Sequence, residues 1–198
     1  MENVIIKQVS SKENPNLYSQ TLNLRNQLLR LPIGLDLFQE DLSKEVNHIT
    51  LAAITVPVSI VAKSNVNNCT TNPKEIDTDN SEAKEETQQL EQEAQTEKNI
   101  EEGKVVGCII LAPIEGDEKT MKIRQMAVSS EVQGQGLGSK LLRSAEEHAK
   151  RLGKTRLYLH GRAHAVGFYL KSGYVKLTEK EFLELGIPHH AMEKIIVN

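Results

Sequence analysis

The chain has no tryptophan, two cysteines, and only three phenylalanines and four tyrosines among its 198 residues. No aromatic-basic pattern of the kind that stacks RNA bases is present. A formal charge of −3 also argues against a broad nucleic-acid-binding surface as the main theme. Cys69 and Cys108 are too few for a disulfide framework, and Cys108, set in an apolar run, reads as a buried thiol. No long hydrophobic run occurs. The longest, ITLAAITVPVSIVA (Ile49 to Ala62), falls short of the ~20 residues that span a bilayer and reads as buried strand. The start, MENVIIKQVSSKENPN, lacks the basic beginning, apolar centre and small-residue cleavage site of a signal peptide. A reduced, soluble, cytoplasmic setting is expected, with a nuclear one left open.

One segment lacks nearly everything a core needs. From Asn65 to Glu102 there is no aromatic residue and almost no apolar periodicity. Lys74 to Glu102 holds eleven acidic residues against three lysines. That is a net of −8 in a chain of −3, which leaves +5 for the remainder. Such a composition buries too little apolar surface to offset the entropy of ordering, so residues 65–102 are expected to be a disordered acidic insertion, with a transient helix near Ala83 to Thr96. Long insertions between strands are tolerated because loop-closure cost grows slowly with length. The segment reads as a solvated loop or as an acidic docking element. Residues 1–198 are otherwise one domain.

The remaining pattern is mixed α/β. VIIKQV (Val4 to Val9) reads as a first strand, and Leu17, Leu24, Leu28 and Leu31 mark a helix stopped by Pro32 and Gly34. The run at Ile49, Lys104 to Ile114 and Lys119 to Val128 predict an antiparallel meander, the last two joined through Glu115-Gly116-Asp117. A helix from about Gly136 to Leu152 carries Leu137, Leu141, Leu142, Ala145, Ala149 and Leu152 on one stripe, with Gly153 placed to cap it. Thr155 to His160 is a strand, Ala163 to Lys171 a helix, and Tyr174 to Leu177 and Glu193 to Asn198 complete the sheet.

The most informative stretch is QMAVSSEVQGQGLGSKLL (Gln125 to Leu142), with glycines at 134, 136 and 138. The dinucleotide-binding spacing fails, because Ser139 or Leu141 falls where its last glycine belongs, and the P-loop spacing fails as well. Gln133, Gly136 and Gly138 do fit Gln-x-x-Gly-x-Gly between a strand and a helix. Without side chains the backbone can aim consecutive N–H groups at an anion, and the helix start adds about half an elementary charge. The pattern describes a pyrophosphate cradle.

This stretch resembles the acetyl-CoA-binding signature of the GNAT superfamily of N-acetyltransferases. AHAVGFYLKSGYVKL (Ala163 to Leu177) resembles a later family motif through Ala165, Phe168, Tyr169, Gly173 and Tyr174. EKEFLELGIPHHAMEKII (Glu179 to Ile196) resembles the C-terminal end of the small YjcF/ElaA-type branch. Many relatives carry Asn three residues before the helix alanine; Arg162 stands there, so that cofactor contact is not carried over.

The resemblance implies an α/β (α+β) fold with a mainly antiparallel sheet splayed at the cofactor site. It implies acetyl-CoA as co-substrate, an amine acceptor (small molecule or protein amine), no metal, and acetyl transfer by direct attack in a ternary complex. The pantetheine arm would bond the backbone of Met126 and Val128, beside Phe168. The pyrophosphate would rest on Gln133, Gly134, Gln135, Gly136, Leu137, Gly138 and Ser139. An N–H near Ala127 or Val128 would face the oxyanion, and Tyr169 matches the acid that protonates the leaving thiolate. His189 and His190 in GIPHH are candidates for the base, His190 being the one taken here. Glu40, Asp41 and Glu45 read as a solvated face or as contacts to a cationic amine. His160 and His164 lack a third metal ligand at usual spacing. The alternative is a non-catalytic acyl-CoA-binding or scaffold module, and a homodimer is left open.

Overall fold

The computed structural model describes residues 3–56, 96–98 and 100–196. Its core is one eight-stranded sheet with strand order β1-β2-β3-β4-β5-β8-β6, β7 pairing with β8. The strands are β1 (Asn3–Val9), β2 (Ile49–Val56), β3 (Lys104–Ile114), β4 (Asp117–Val128), β5 (Arg156–Arg162), β6 (Val175–Lys176), β7 (Phe182–Glu184) and β8 (Ile187–Ile195). Helix α1 (Pro15–Arg25) follows β1, α2 (Leu137–Arg151) follows β4, and α3 (Val166–Lys171) follows β5. All pairings are antiparallel except β4–β5.

β3 shows why the sheet has two cores. Val105 through Ala112 are buried in an unbroken run, as expected of a strand covered on both faces. On one face Leu141, Leu142, Ala145 and Ala149 of α2 pack over Ile109, Leu111, Met121 and Leu157. On the other, Leu17 of α1 packs with Val9, Ala52, Ile54 and Val105. The helix α2 ends where Gly153, at φ +71°, closes a Schellman turn. There the N–H of Gly153 donates to Lys150 O at 2.8 Å and that of Lys154 to Ala149 O at 3.0 Å. Leu152, expected in the apolar stripe, lies past the last helical turn and is exposed.

Three expectations change. The first helix does not run to Leu31. After Arg25 the backbone winds as a π-helical turn (Asn26–Arg30) and a 3-10 turn (Leu31–Ile33), so the face shifts phase. The buried positions become Leu17, Thr21, Arg25, Asn26 and Arg30, while Leu31 is exposed. The GIPHH segment is strand, not loop: β7 and β8 form a hairpin turning at Leu185 and Gly186, both at positive φ. Finally, the acidic insertion is ordered at its C-terminal end. Residues 96–98, 100 and 101 are helical, and Asn14 Nδ2 donates to Glu101 Oε2 at 3.1 Å. The helix expected over Ala83 to Thr96 lies outside the described residues except for Thr96.

The feature that positions the site is a parting in the sheet. β4 and β5 pair in parallel only from Thr120↔Arg156 to Ile123↔Leu159. At that point the β3–β4 register slips, because Leu111 faces Ile123 while Ile110 faces Gln125, which leaves Arg124 as a bulge. A bulge bends its strand and raises the local twist, and beyond it β4 diverges from β5.

Candidate active site

Two adjoining cavities lie along this parting. The larger, about 620 Å³, is lined by β4, the glycine turn, the start of α2 and α3; the smaller, about 330 Å³, opens towards the π-helical turn and the β7–β8 hairpin. They share Met126, Val128, Gln133, His164, Ala165 and Tyr169.

The larger cavity is built from main chain. The N–H of Ser129 donates to Val106 O on β3 at 2.8 Å. Because successive strand residues point their amides to opposite sides, Val128 and Met126 face the parting and Ala127 faces β3. Gln133 Nε2 donates to Val128 O at 2.9 Å and folds the turn back against the strand. Gly134 and Gly136 then sit at φ +80° and +78°, the left-handed region in which a Cβ is strained, with open space where a side chain would project. Gly136 is the N-cap of α2 and supplies no side chain to cap it, and no acidic residue occupies the first turn. The first helical bond is Lys140 N–H to Gly136 O at 3.1 Å. The N–H groups of Leu137, Gly138 and Ser139 therefore have no acceptor within the helix, and its positive end is open. At Gly138 a Cβ would come within 3.3 Å of Met126 Cε and 3.4 Å of Phe168 Cε2, so glycine lets β4 and α3 close over the helix start. Among the described residues, no carboxylate and no lysine or arginine lines this cavity. An uncapped, glycine-lined helix mouth of this kind fits a diphosphate. Gln135 is turned away, with Nε2 reaching Glu131 O at 3.4 Å.

Tyr169 closes the boundary between the cavities. Its ring meets Phe168 edge-on at 5.1 Å and Tyr174 at 5.8 Å. It lies over Gly161, where a Cβ would come 3.3 Å from Tyr169 Cδ2. Burial pushes its pKa up to about 12, so the phenol keeps its proton throughout the neutral range.

The smaller cavity is built from side chains. Leu28, Leu29 and Arg30 come from the π-helical turn, Lys122, Arg124 and Gln125 from the bulge, His160 and Arg162 from β5, and Glu184 and His189 from the hairpin. Behind it stands a buried anchor. Arg25, wholly inaccessible, donates from Nε to Gln125 Oε1 at 2.5 Å and from Nη1 and Nη2 to Glu45 at 2.9 and 2.5 Å. Burial alone would raise the Glu45 pKa, but the hydrogen bonds and charge of Arg25 outweigh it and hold the carboxyl below its ordinary value. Nothing in the sequence marked Arg25, since an arginine at that helical position reads as exposed.

The acidic candidates for an amine contact are spent elsewhere. Glu45 pairs with Arg25, Glu40 with Arg30, and exposed Asp41 accepts from Ser43 N–H. None of the three lines either cavity.

The histidines separate by strand alternation. His190 shares the helix-covered face of the sheet with Gly161, its partner in register; its Nε2 meets Glu181 Oε1 at 3.2 Å and its buried Nδ1 has no partner. His190, the expected base, lines neither cavity, whereas His189 lines the smaller one. His189 faces the smaller cavity. Its Nδ1 lies 2.8 Å from Ile187 O, and a carbonyl only accepts, so Nδ1 carries a proton, and in the neutral ring the lone pair is then on Nε2. His160 has both nitrogens committed, Nδ1 to Glu184 at 2.5 Å and Nε2 to the Tyr158 hydroxyl at 2.8 Å. Exposed His164 borders both cavities. Among the described residues, no group of three or more His, Cys, Asp or Glu is placed to hold a metal.

The model of the acetyltransferase (GNAT) family matches residues 70–174. The chain belongs to the GNAT acetyltransferase family. Among curated relatives, the uncharacterized protein YyaT of Bacillus subtilis (strain 168) is 39% identical over 77 residues, 39% of this chain and 51% of the relative. The uncharacterized N-acetyltransferase YjcF of the same organism is 37% identical over 73 residues, 37% of this chain and 52% of the relative. The chain thus spans about half the length of the curated relatives it matches. Solved structures share the fold over nearly all of both chains. An aminoglycoside 6'-N-acetyltransferase complexed with coenzyme A aligns at TM-score 0.58 and 16% identity, covering 98% of each chain. An IAA acetyltransferase from Bacillus cereus ATCC 14579 aligns at 0.52 and 19%, covering 98% of this chain and 99% of the other. At these identities the likeness is one of fold. Among the described residues of this GNAT domain, no helix is long and apolar enough to cross a membrane.

Proposed function

We propose that this GNAT domain transfers the acetyl group of acetyl-CoA to a primary amine by direct attack in a ternary complex. The observation that carries the reading is the junction of two cavities at Tyr169, one ending on the uncapped mouth of α2 and the other lined by ionisable side chains. When bound, acetyl-CoA supplies an activated acyl carbon and a thiolate leaving group.

The chain's own residues divide the remaining work. The N–H groups of Leu137, Gly138 and Ser139 hold the diphosphate, and the backbone of Met126 and Val128 binds the amide-bearing arm in place of a missing strand. His189 Nε2 takes the proton from the attacking amine, and the Tyr169 hydroxyl gives its proton to the departing sulfur. The amine nitrogen gains the acyl carbon as the carbon–sulfur bond breaks, and one proton passes to each of His189 and the thiolate. Most of the acceleration comes from holding two reactants together, an effect worth up to about 7–11 kcal/mol.

The test has two stages. Titration calorimetry with acetyl-CoA should give saturable heat. Amine-dependent release of free CoA should then follow with at least one amine of a broad panel. Binding without release from any amine would leave a sensing or scaffold module in place of an enzyme, and no binding would remove both.

A further inference from the structure

We propose that the acceptor amine also carries an anionic group, a carboxylate or a phosphate, held in the smaller cavity by Lys122, Arg124 and Arg162. The inference rests on the acetyl-transfer reading and adds the chemical class of its second substrate.

Charge balance within the cavity carries it. None of these three cations forms an ion pair among the described residues. Arg162 is half-buried and spends one donor on Leu29 O at 2.9 Å, leaving most of its five N–H groups without a protein acceptor. Lys122 is half-buried too, with Nζ 3.4 Å from His160 Nδ1 and 5.8 Å from the centre of the Tyr158 ring, and neither contact neutralises it. Arg124 is the bulge residue, and the bulge turns it to the cavity. Among the described residues the one carboxylate in the lining, Glu184, is held by His160 at 2.5 Å. Glu40 and Glu45, whose charge would suit a cationic acceptor, pair with Arg30 and Arg25.

Half-buried cations such as Lys122 and Arg162 are costly unless something anionic completes them, and at Lys122 burial outweighs the charge of nearby Glu184. The same charges disfavour an ammonium beside them, so they also keep the attacking nitrogen in its neutral, nucleophilic form. A volume of about 330 Å³ lies at the small end of ligand pockets, which suits a compact metabolite.

The experiment compares matched amines with the full chain at saturating acetyl-CoA, reading CoA release. Glycine is set against glycinamide, and glucosamine 6-phosphate against glucosamine, with spermidine as a polycationic control. The expected result is a preference of at least about tenfold in kcat/KM for the anionic member of one pair, carried mainly by KM and weakened by salt. The pair that responds separates a carboxylate from a phosphate. Arg124→Gln, at an exposed position, and Lys122→Gln should each cut that preference at least threefold. A preference for neutral amines or for spermidine overturns the proposal while leaving acetyl transfer intact. If acetyl-CoA binds but no amine turns over, N-acetylglycine and N-acetylglucosamine 6-phosphate are titrated into the CoA complex against their uncharged counterparts; equal or absent binding overturns it. Absence of acetyl-CoA binding is a separate result that removes the underlying reading.

Discussion

Two short stretches, 126–139 and 164–169, supply every residue lining the larger cavity, whereas the smaller one draws on positions as distant as Leu28 and His189. The first is walled by amides, glycines and apolar side chains without a lysine, arginine or carboxylate, and the second by arginines, a lysine and histidines. A cradle of main-chain donors needs only a local turn and a helix start, so it is written contiguously. A pocket that recognises one particular molecule needs side chains from several elements, and only the folded sheet brings these together. The difference teaches that the larger cavity is insulated from the rest of the molecule, while the smaller one depends on supports such as Arg25.

The sharpest way to break this contrast is Gly136→Glu. A side chain at φ +78° adds strain of about 1–2 kcal/mol and places a carboxylate at the anion cradle. Acetyl-CoA affinity by calorimetry should fall about 1,000-fold, ~4 kcal/mol, while Tm drops by no more than about 8 °C. Unfolding of the whole domain would show that the cradle is not insulated.

Arg25→Met tests the other half. Removing one partner of a buried pair costs about 3 kcal/mol, and Tm should fall by roughly 6–12 °C, with amine KM rising more than acetyl-CoA affinity falls. The acid response gives the sign. The folded Glu45 pKa lies below its ordinary 4.5, so its contribution is present above pH 4.5 and fades as pH falls through the lowered value. The variant should lose this part of the acid dependence.

Tyr169→Phe acts at the junction. It should lower kcat about 100-fold, ~2.7 kcal/mol, with acetyl-CoA affinity within twofold. The folded pKa of about 12 exceeds the ordinary 10.0. Stability is therefore full below pH 10 and declines as pH rises through about 12. The Phe variant should show a shallower alkaline decline, followed by circular dichroism.

The smallest effect belongs to His189→Asn, about tenfold in kcat/KM at pH 7, ~1.4 kcal/mol. The deficit should vanish above about pH 11, where an alkylamine with a pKa of about 10.4 is mostly neutral in solution. A deficit independent of pH would mean that His189 only shapes the cavity. His190→Asn, off the cleft, should show no such pH-dependent deficit.

The legible parts of the chain were those with short-range causes. Helix α2 ran from Leu137 as its leucine and alanine spacing predicted, and Gly153 ended it by a turn that needs only neighbouring residues. The β3–β4 hairpin was readable because its turn residues lie between two apolar runs. The leucine series misled at Leu31 because the π-helical turn after Arg25 rotates the face. GIPHH misled because proline and glycine suggest a loop, while pairing with β5 makes Ile187–Ile195 a strand.

From the order of its residues alone, then, this protein was committed to a strand, a glycine turn and an uncapped helix mouth, because backbone geometry and helix polarity act within a few positions. Tertiary structure decided which histidine meets the cleft, which carboxylates are consumed by arginines, and that the smaller cavity gathers cations with no ion pair among the described residues. Those outcomes depend on which face of the sheet a residue occupies and on which partner reaches it first, and neither is fixed until β4 and β5 have parted.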